Sequence, residues 1–281
     1  MVKSLELVPR YEGPSSWWEH VPVAHAIVEY TKPEIIVELG SHYGVSLFSF
    51  CEAAEKYSPM TFIYGIDTWE GDAHAGYYKD EVYQLVDGYR KDFHSQRLTL
   101  IRSLFDDAVH HFSDSSIDIL HIDGLHTYDS VSHDLKTWLP KLKDGGTILF
   151  HDCSVKKDDF GVWKLWEEVK ASQEFKCLEF KNGYGLGVAS KVKEVPVWHG
   201  ELEDRREELK CKGVLLEKIN NLKEEIKRDN IIKRTNAKHI ENLEEIVEAQ
   251  RKELDTAKNR EKRRYSLGEL IKRITASWRR L

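Results

Sequence analysis

Four cysteines, seven prolines and two methionines are spread over 281 residues, and no stretch approaches the ~18 apolar residues that a membrane span needs. Cys51, Cys153, Cys177 and Cys211 lie far apart and form no C-x-x-C pair, which argues against a disulfide framework or structural zinc and for free thiols in a reducing compartment. The opening MVKSLELVPRYEG has no apolar core of a secretory signal, so the expected location is cytoplasmic. The dinucleotide fingerprint G-x-G-x-x-G is also missing, which counts against a dehydrogenase.

Basic charge is scarce outside the tail. The formal net charge is −6, but Lys258 to Leu281 carries nine Lys or Arg against Glu261 and Glu269, a net of +7 that leaves −13 for the rest. An acidic body is a poor partner for a phosphate backbone, so no nucleic-acid substrate is expected, whereas the tail could meet an anionic surface. With 41% hydrophobic residues the chain has enough apolar material for one full core and an appendage.

From Glu34 to about Lys191, short β-branched runs (EIIVEL, TFIYGID, LTLIRS, IDILHID, GGTILFHD, FKCLEF, GLGVAS) alternate with amphipathic stretches such as GVSLFSFCEAAEKY and DSVSHDLKTWLPKL. That alternation predicts an α/β fold with a mostly parallel sheet covered on both faces. The last two runs flank KNGY, whose Asn-Gly signals a tight hairpin, so the final strand should run antiparallel. A helical cap is expected over residues 1–33 and the sheet domain over 34–192.

Proline is absent from Glu201 to Lys258, and Gly213 is the single glycine. Leu215, Ile219, Leu222 and Ile226, then Asp229, Lys233 and Asn236, then Ile240, Leu243, Val247, Gln250, Leu254 and Ala257 follow steps of four and three. This heptad seam predicts a long helix or coiled coil over 200–262, with β-branched a and Leu d positions suited to a homodimer or higher oligomer; a solitary charge-laced helix is the alternative. In YSLGELIKRITASWRRL, Leu267, Leu270, Ile271, Ile274, Trp278 and Leu281 share one face flanked by basic residues. That pattern over 265–281 suits peripheral contact with the inner membrane surface or docking onto a protein.

The chemistry gathers where strands end. VELGSHYGVS places Gly40 and Gly44 in a strand-to-helix turn where backbone N–H groups can approach a ligand, with Glu38 two residues earlier. Asp67 ends the second run, 27 residues after Gly40, where a carboxylate can accept both hydroxyls of a ribose. Asp123 ends the fourth run and His126 follows it, a neutral imidazole suited to taking a hydroxyl proton. The fifth run ends in His151 and Asp152, so Asp123, His151 and Asp152 could hold a divalent ion. His121 should lie deeper in its strand as a structural residue, Asp129 and His133 at a helix cap or in solvent, and Trp163 and Trp166 in the core, with Phe160 and Gly161 shaping the pocket mouth.

These strings resemble the class I S-adenosylmethionine-dependent methyltransferases. More closely, SSWWEHVPVA, VELGSHYGVSLFSFCEA, GIDTWEGDAHAGYY, SSIDILHIDGLHTYDSV, LFHDCSV, FGVWKLWEEV and GYGLGV, over about residues 14 to 190, are similar to a bacterial subfamily associated with glycosyltransferases and surface-polysaccharide synthesis. The resemblance implies a Rossmann-like seven-stranded sheet with a reversed last strand. It implies that Glu38, Gly40, Ser41 and Gly44 surround the methionine part of S-adenosylmethionine, that Asp67 holds the ribose, and that Ser103 and Leu104 border the adenine. Trp69 and GDAHAG would form a lid, with His74 a candidate substrate contact. The expected reaction is O-methylation of a sugar or glycan hydroxyl. The alternatives are a small-molecule or secondary-metabolite O-methyltransferase, or a degenerate scaffold that recruits glycosyltransferases through its coiled coil. The Asp123, His151, Asp152 set is similar to that of metal-dependent O-methyltransferases acting on catechols and macrolide sugars. It departs from them in His151, where a carboxylate is usual, which leaves manganese, magnesium or no metal as options.

Overall fold

The structure is a computed structural model that describes residues 9–278, without the side chains of residues 237, 240, 243, 244, 246, 247, 250, 251, 253–255 and 257–278. Its chain order begins with a single 3-10 turn, Ser16–His20, and helix α1 (Val21–Thr31). Then come β1 (Ile35–Leu39), α2 (Val45–Tyr57), β2 (Phe62–Asp67), the two-residue strands β3 (Gly71–Asp72) and β4 (Gly76–Tyr77), α3 (Asp80–Tyr89) and β5 (Leu98–Arg102). The second half runs α4 (Phe105–Ala108), β6 (Ile117–Ile122), α5 (Tyr128–Trp138), β7 (Leu142–His151), α6 (Val162–Ala171), β8 (Lys176–Phe180), β9 (Leu186–Ser190), α7 (Val197–Asp204) and α8 (Arg206–Trp278).

All seven apolar runs of the sheet domain are strands, ordered β5-β2-β1-β6-β7-β9-β8. β9 pairs antiparallel with both β7 and β8, so the expected reversed last strand is present, inserted one place in from the edge. The hairpin is looser than a two-residue turn: Phe180 pairs with Leu186, leaving five residues between them, and Gly183, Tyr184 and Gly185 all have positive φ. The sequence reading also did not anticipate the β3–β4 ribbon within GDAHAG.

Side chains alternate across the buried strands as the pleat requires. Ile36 faces one core with α1, α2 and the Trp17–Trp18 turn, while Val37 and Leu39 face the other with α5 and α6. Both faces of the sheet are therefore covered, which is why its strands read as continuous apolar runs. β1 and β6 are parallel neighbours at the point where strand order reverses, and this opens a crevice beyond their carboxyl ends.

The chain divides into Met1–Asn221 and Leu222–Leu281. In the first unit, Leu202, Leu209 and Leu216 are buried. The expected seam residues Leu215 and Ile219 are exposed there, as are Leu222 and Ile226 in the second unit. The side chains of Ile240, Leu243, Val247, Gln250, Leu254 and Ala257, and the apolar face of 265–281, lie outside the described residues. Among the described residues, no helix is long and apolar enough to cross a membrane.

His25 on α1 is enclosed, and burial pushes its imidazole down to about 3. The unfolded chain, with a His25 pKa of about 6.5, then binds more protons at this site than the folded one between those two values, so the contribution of His25 to stability is full above pH 6.5 and falls as the pH drops towards 3. Thermal melts from pH 7.5 to 4 should show that decline, and His25→Gln should make it shallower while lowering the melting temperature at pH 7.5, the remaining slope coming from the buried His20 and His199.

Candidate active site

The loop after β1 is built on a backbone contact. Gly40 has φ +86°, and a Cβ on it would stand 2.1 Å from the carbonyl oxygen of Asp123. The Asp123 N–H in turn donates to the Leu39 carbonyl at 2.8 Å, so the ends of β1 and β6 are held together without a side chain between them. Gly44, at φ +83°, caps α2 and closes the turn by donating to the Ser41 carbonyl. Asp67 braces the same loop: its Oδ2 accepts from the Ser41 and His42 N–H groups, both at 2.9 Å, and its Oδ1 accepts from the Trp69 N–H at 2.7 Å.

Above this loop lies a cavity of about 470 Å³, within the range of small-molecule sites. Gly40, Ser41, Gly44, Asp67, Ser103, Leu104, Asp123 and His126 line it, which brings together most of the residues singled out from sequence. Pro14 to Ser16, Phe105 and the stacked rings of His42 and Tyr78 also line it, and sequence reasoning missed them. For Ser15 and Ser16 the signal was present in the SSWWEH string. For Tyr78 there was none, because the ribbon and the loop after β1 are far apart in sequence.

Two expected cofactor residues are displaced. Glu38 points to the α1 face of β1, is fully buried and bonds the His121 Nδ1 at 2.9 Å; it does not line the cavity. One position off Leu39 in the pleat, it supports the floor instead. His121 also accepts from the Trp17 Nε1–H at 3.2 Å and is the structural residue expected. Trp69 is likewise enclosed and donates its Nε1–H to the His42 carbonyl, so it props the lid without forming the cavity wall.

The metal set is also corrected. The ligand atoms that converge, all within 4.8 Å of one another, belong to Asp123, His126 and Asp152, not to His151. His126 Nε2 lies 2.8 Å from Asp152 Oδ2 and 3.6 Å from Asp123 Oδ1. His151 ends β7 with its ring packed beside His20 and Trp17, and its Nδ1 meets Asp123 at 3.1 Å and Asp152 at 3.2 Å from the core side. The reason is local: Asp152 takes φ +58°, which turns its carboxylate towards His126 while His151 stays in the pleat.

This cluster is strongly polarised. Burial opposes the charge of Asp123, but His151 and hydrogen bonds from His126 and His151 hold its carboxyl well below the usual range. Asp152 is lowered too, because His151 and His126 outweigh its burial. Burial pushes against both imidazolium ions, yet the two carboxylates raise His126 to about 9 and His151 to about 10. Two carboxylates and an imidazole on one side of a cavity fit a divalent ion with mixed nitrogen and oxygen preference, such as manganese, better than magnesium.

His74, on the β3–β4 ribbon, is not an exposed loop residue. Its Nδ1 lies 3.3 Å from His126 Nδ1, its Nε2 2.8 Å from Asp159 Oδ1, and its ring stacks with those of His126 and Phe160. The rings of Phe160 and His126 are stacked nearly parallel, 6° apart with centroids at 4.9 Å. Together with Tyr184 and Lys157 they border a second cavity of about 420 Å³, which shares Ser16, His126 and Asp152 with the first. His133 faces solvent against Asp106, Thr127 rather than Asp129 caps α5, and Trp166 is core whereas Trp163 is half-buried.

Residues 37–153, which span the first five strands of the sheet in chain order, match a family model described as a methyltransferase domain. An uncharacterized protein of Sinorhizobium fredii is 39% identical over 188 residues, which is 66% of this chain and 20% of that protein. The chain thus spans about a fifth of the length of this curated relative. Among solved structures, a cofactor-bound MTB protein superposes with a TM-score of 0.50 at 10% identity, covering 68% of this chain and 87% of that one. A Corynebacterium glutamicum protein does so with 0.50 at 12%, covering 69% and 92%. At such identities these two show the shared fold.

The contact at Gly40 sets a test of the site's construction. Gly40→Ala adds both a left-handed β-carbon and a clash with the Asp123 carbonyl, and should cost more than about 2 kcal/mol in chemical denaturation. A loss below about 0.5 kcal/mol would mean that the two strand ends are not locked as described.

Proposed function

We propose that this chain is an S-adenosylmethionine-dependent O-methyltransferase whose acceptor is a sugar or glycan hydroxyl. The observation that carries the reading is the pair of cavities meeting at His126 and Asp152, one braced by the glycine loop and Asp67, the other open beside an aromatic wall. When bound, S-adenosylmethionine supplies an electrophilic methyl group. Gly40, Ser41 and Gly44 would receive its amino-acid end through backbone groups, Asp67 would accept from a ribose hydroxyl with the lone pair left on Oδ1, and Ser103 and Leu104 would border the base.

The acceptor enters the second cavity, where Tyr184 and Phe160 offer rings for a sugar face and Ser16, Lys157 and Asp158 offer polar groups. Asp123 and Asp152 would orient its hydroxyl towards the first cavity, and the proton released on methyl transfer would pass to His126 Nε2 in its neutral form, which becomes the major form only as the pH rises past about 9. A divalent ion held by Asp123, His126 and Asp152 would take the place of the His126 proton and itself lower the hydroxyl pKa, so His126 serves either as base or as ligand. His151 holds the two carboxylates from the core side and is not a ligand.

We also assign a homodimer or higher oligomer through the exposed Leu215, Ile219, Leu222 and Ile226 seam, and peripheral membrane contact through 265–281 in a cytoplasmic setting. The four-three spacing of exposed apolar side chains supports the first, and the basic amphipathic pattern supports the second.

Calorimetric titration with S-adenosylhomocysteine should show micromolar binding, with none for NAD, and Asp67→Ala should abolish it. His126→Ala should retain that binding while lowering turnover of a glycan acceptor by about 10²-fold or more. Binding of NAD in place of the sulfonium product would discard the reading. Manganese binding should be lost in Asp152→Ala; its persistence there would remove the ion site.

A further inference from the structure

The wall formed by Pro14, Ser15 and Ser16 stands where the two cavities meet, since Ser16 borders both. The first turns of α8 fix it from behind. Gly213 packs directly on the backbone of Glu19: a Cβ there would lie 2.1 Å from the Glu19 carbonyl oxygen and 2.7 Å from its carbon. Asn220, only 4% exposed, donates its Nδ2–H to the Gly13 carbonyl at 3.2 Å, and the same oxygen accepts from the Trp18 Nε1–H at 2.9 Å. Leu209 and Leu216 are buried on the same face, so 209, 213, 216 and 220 form one helical stripe turned to the N-terminal segment.

This stripe explains two residues that helix propensity disfavours. A glycine inside a helix costs about 1 kcal/mol relative to alanine, and a buried amide costs more unless it is bonded. Close docking accounts for Gly213, which lets the helix backbone approach, and for the Asn220 N–H, which is the second donor to the buried Gly13 carbonyl, whereas the Asn220 Oδ1 is buried without a partner. The exposed Leu215 and Ile219 lie off this stripe, so the helix can dock inward while its seam remains open.

We propose that Gly213 and Asn220 are positioning residues for the site, holding the 13–16 wall so that it grips the ligand end nearest His126 and Asp152. The proposal rests on the methyltransferase reading for the ligand's identity. In that frame the wall touches the amino-acid end of the cofactor and the acceptor, and leaves the base end at Ser103 and Leu104 untouched.

The test uses the full chain as wild type, Asn220→Leu, Asn220→Gln and Gly213→Ala, titrated with S-adenosylhomocysteine and with 5′-methylthioadenosine, which lacks the amino-acid end. Asn220→Leu and Gly213→Ala should weaken S-adenosylhomocysteine about tenfold while leaving 5′-methylthioadenosine unchanged, and Asn220→Gln should restore binding. Equal weakening of both ligands would reduce the role to general stability and overturn the proposal, as would no change in either. Amide exchange across residues 13–16 should accelerate in Asn220→Leu and recover in Asn220→Gln. Unchanged exchange would overturn the proposal by itself, whereas wild-type binding of neither ligand, with exchange altered as expected, would sink the methyltransferase reading and leave the positioning of the wall standing.

Discussion

The approach of Gly40 to the backbone of Asp123 is the constraint on which the site depends. Two parallel strands diverge beyond their last hydrogen bonds, and a crevice at that point is generic to open α/β sheets. Here the crevice has a fixed geometry because β1 and β6 continue in contact past the sheet, with Leu39 accepting from Asp123 and no Cβ to separate them. Asp67 then ties the next two residues of the loop to β2. The cavity floor, the start of α2 and the first carboxylate of the acid and imidazole cluster are all referenced to that single contact.

Below the floor sits an unusual density of buried polar groups. Glu38 with His121, and Asp123 and Asp152 with His151, place charged or polar pairs in a layer that would be costly if any member lacked its partner. His20, driven down to about 3 by burial and by the neighbouring His151, bonds the Gly183 carbonyl of the last hairpin and connects this layer to β9. The reversed strand is therefore more than a fold signature, since its loop helps enclose the polar layer that orients the carboxylates. Proton affinity is raised on the two imidazoles because the carboxylates around them outweigh desolvation, which makes the cluster suited to holding either protons or an ion.

Much of the fold was legible because its signals are local. Strand runs, the glycine turn after β1, and the acidic residues at strand ends all depend on a few adjacent residues, and each stands where periodicity placed it. The five-residue hairpin and the β3–β4 ribbon were less legible, since short turns depend on what they pack against: Gly183 on Glu19 and His20, Gly185 on Ser154. The site was legible as a group of loops but not as a group of atoms. Glu38 in β1 and Trp69 after β2 are buried away from the cavity, while His74, expected as a candidate substrate contact, bonds His126 and Asp159.

By itself the sequence determined the α/β sheet with its antiparallel last strand, the loops that carry chemistry and the glycine-poor helical tail, because hydrophobic period and turn chemistry act over short distances. Tertiary structure decided which side chains converge. The left-handed φ of Asp152 turns its carboxylate towards His126 while His151 stays in the pleat, and a glycine and an asparagine about 200 residues from the cavity wall in sequence meet it only once α8 has docked. Side-chain direction and docking register are set by packing between distant segments, and no local pattern records them.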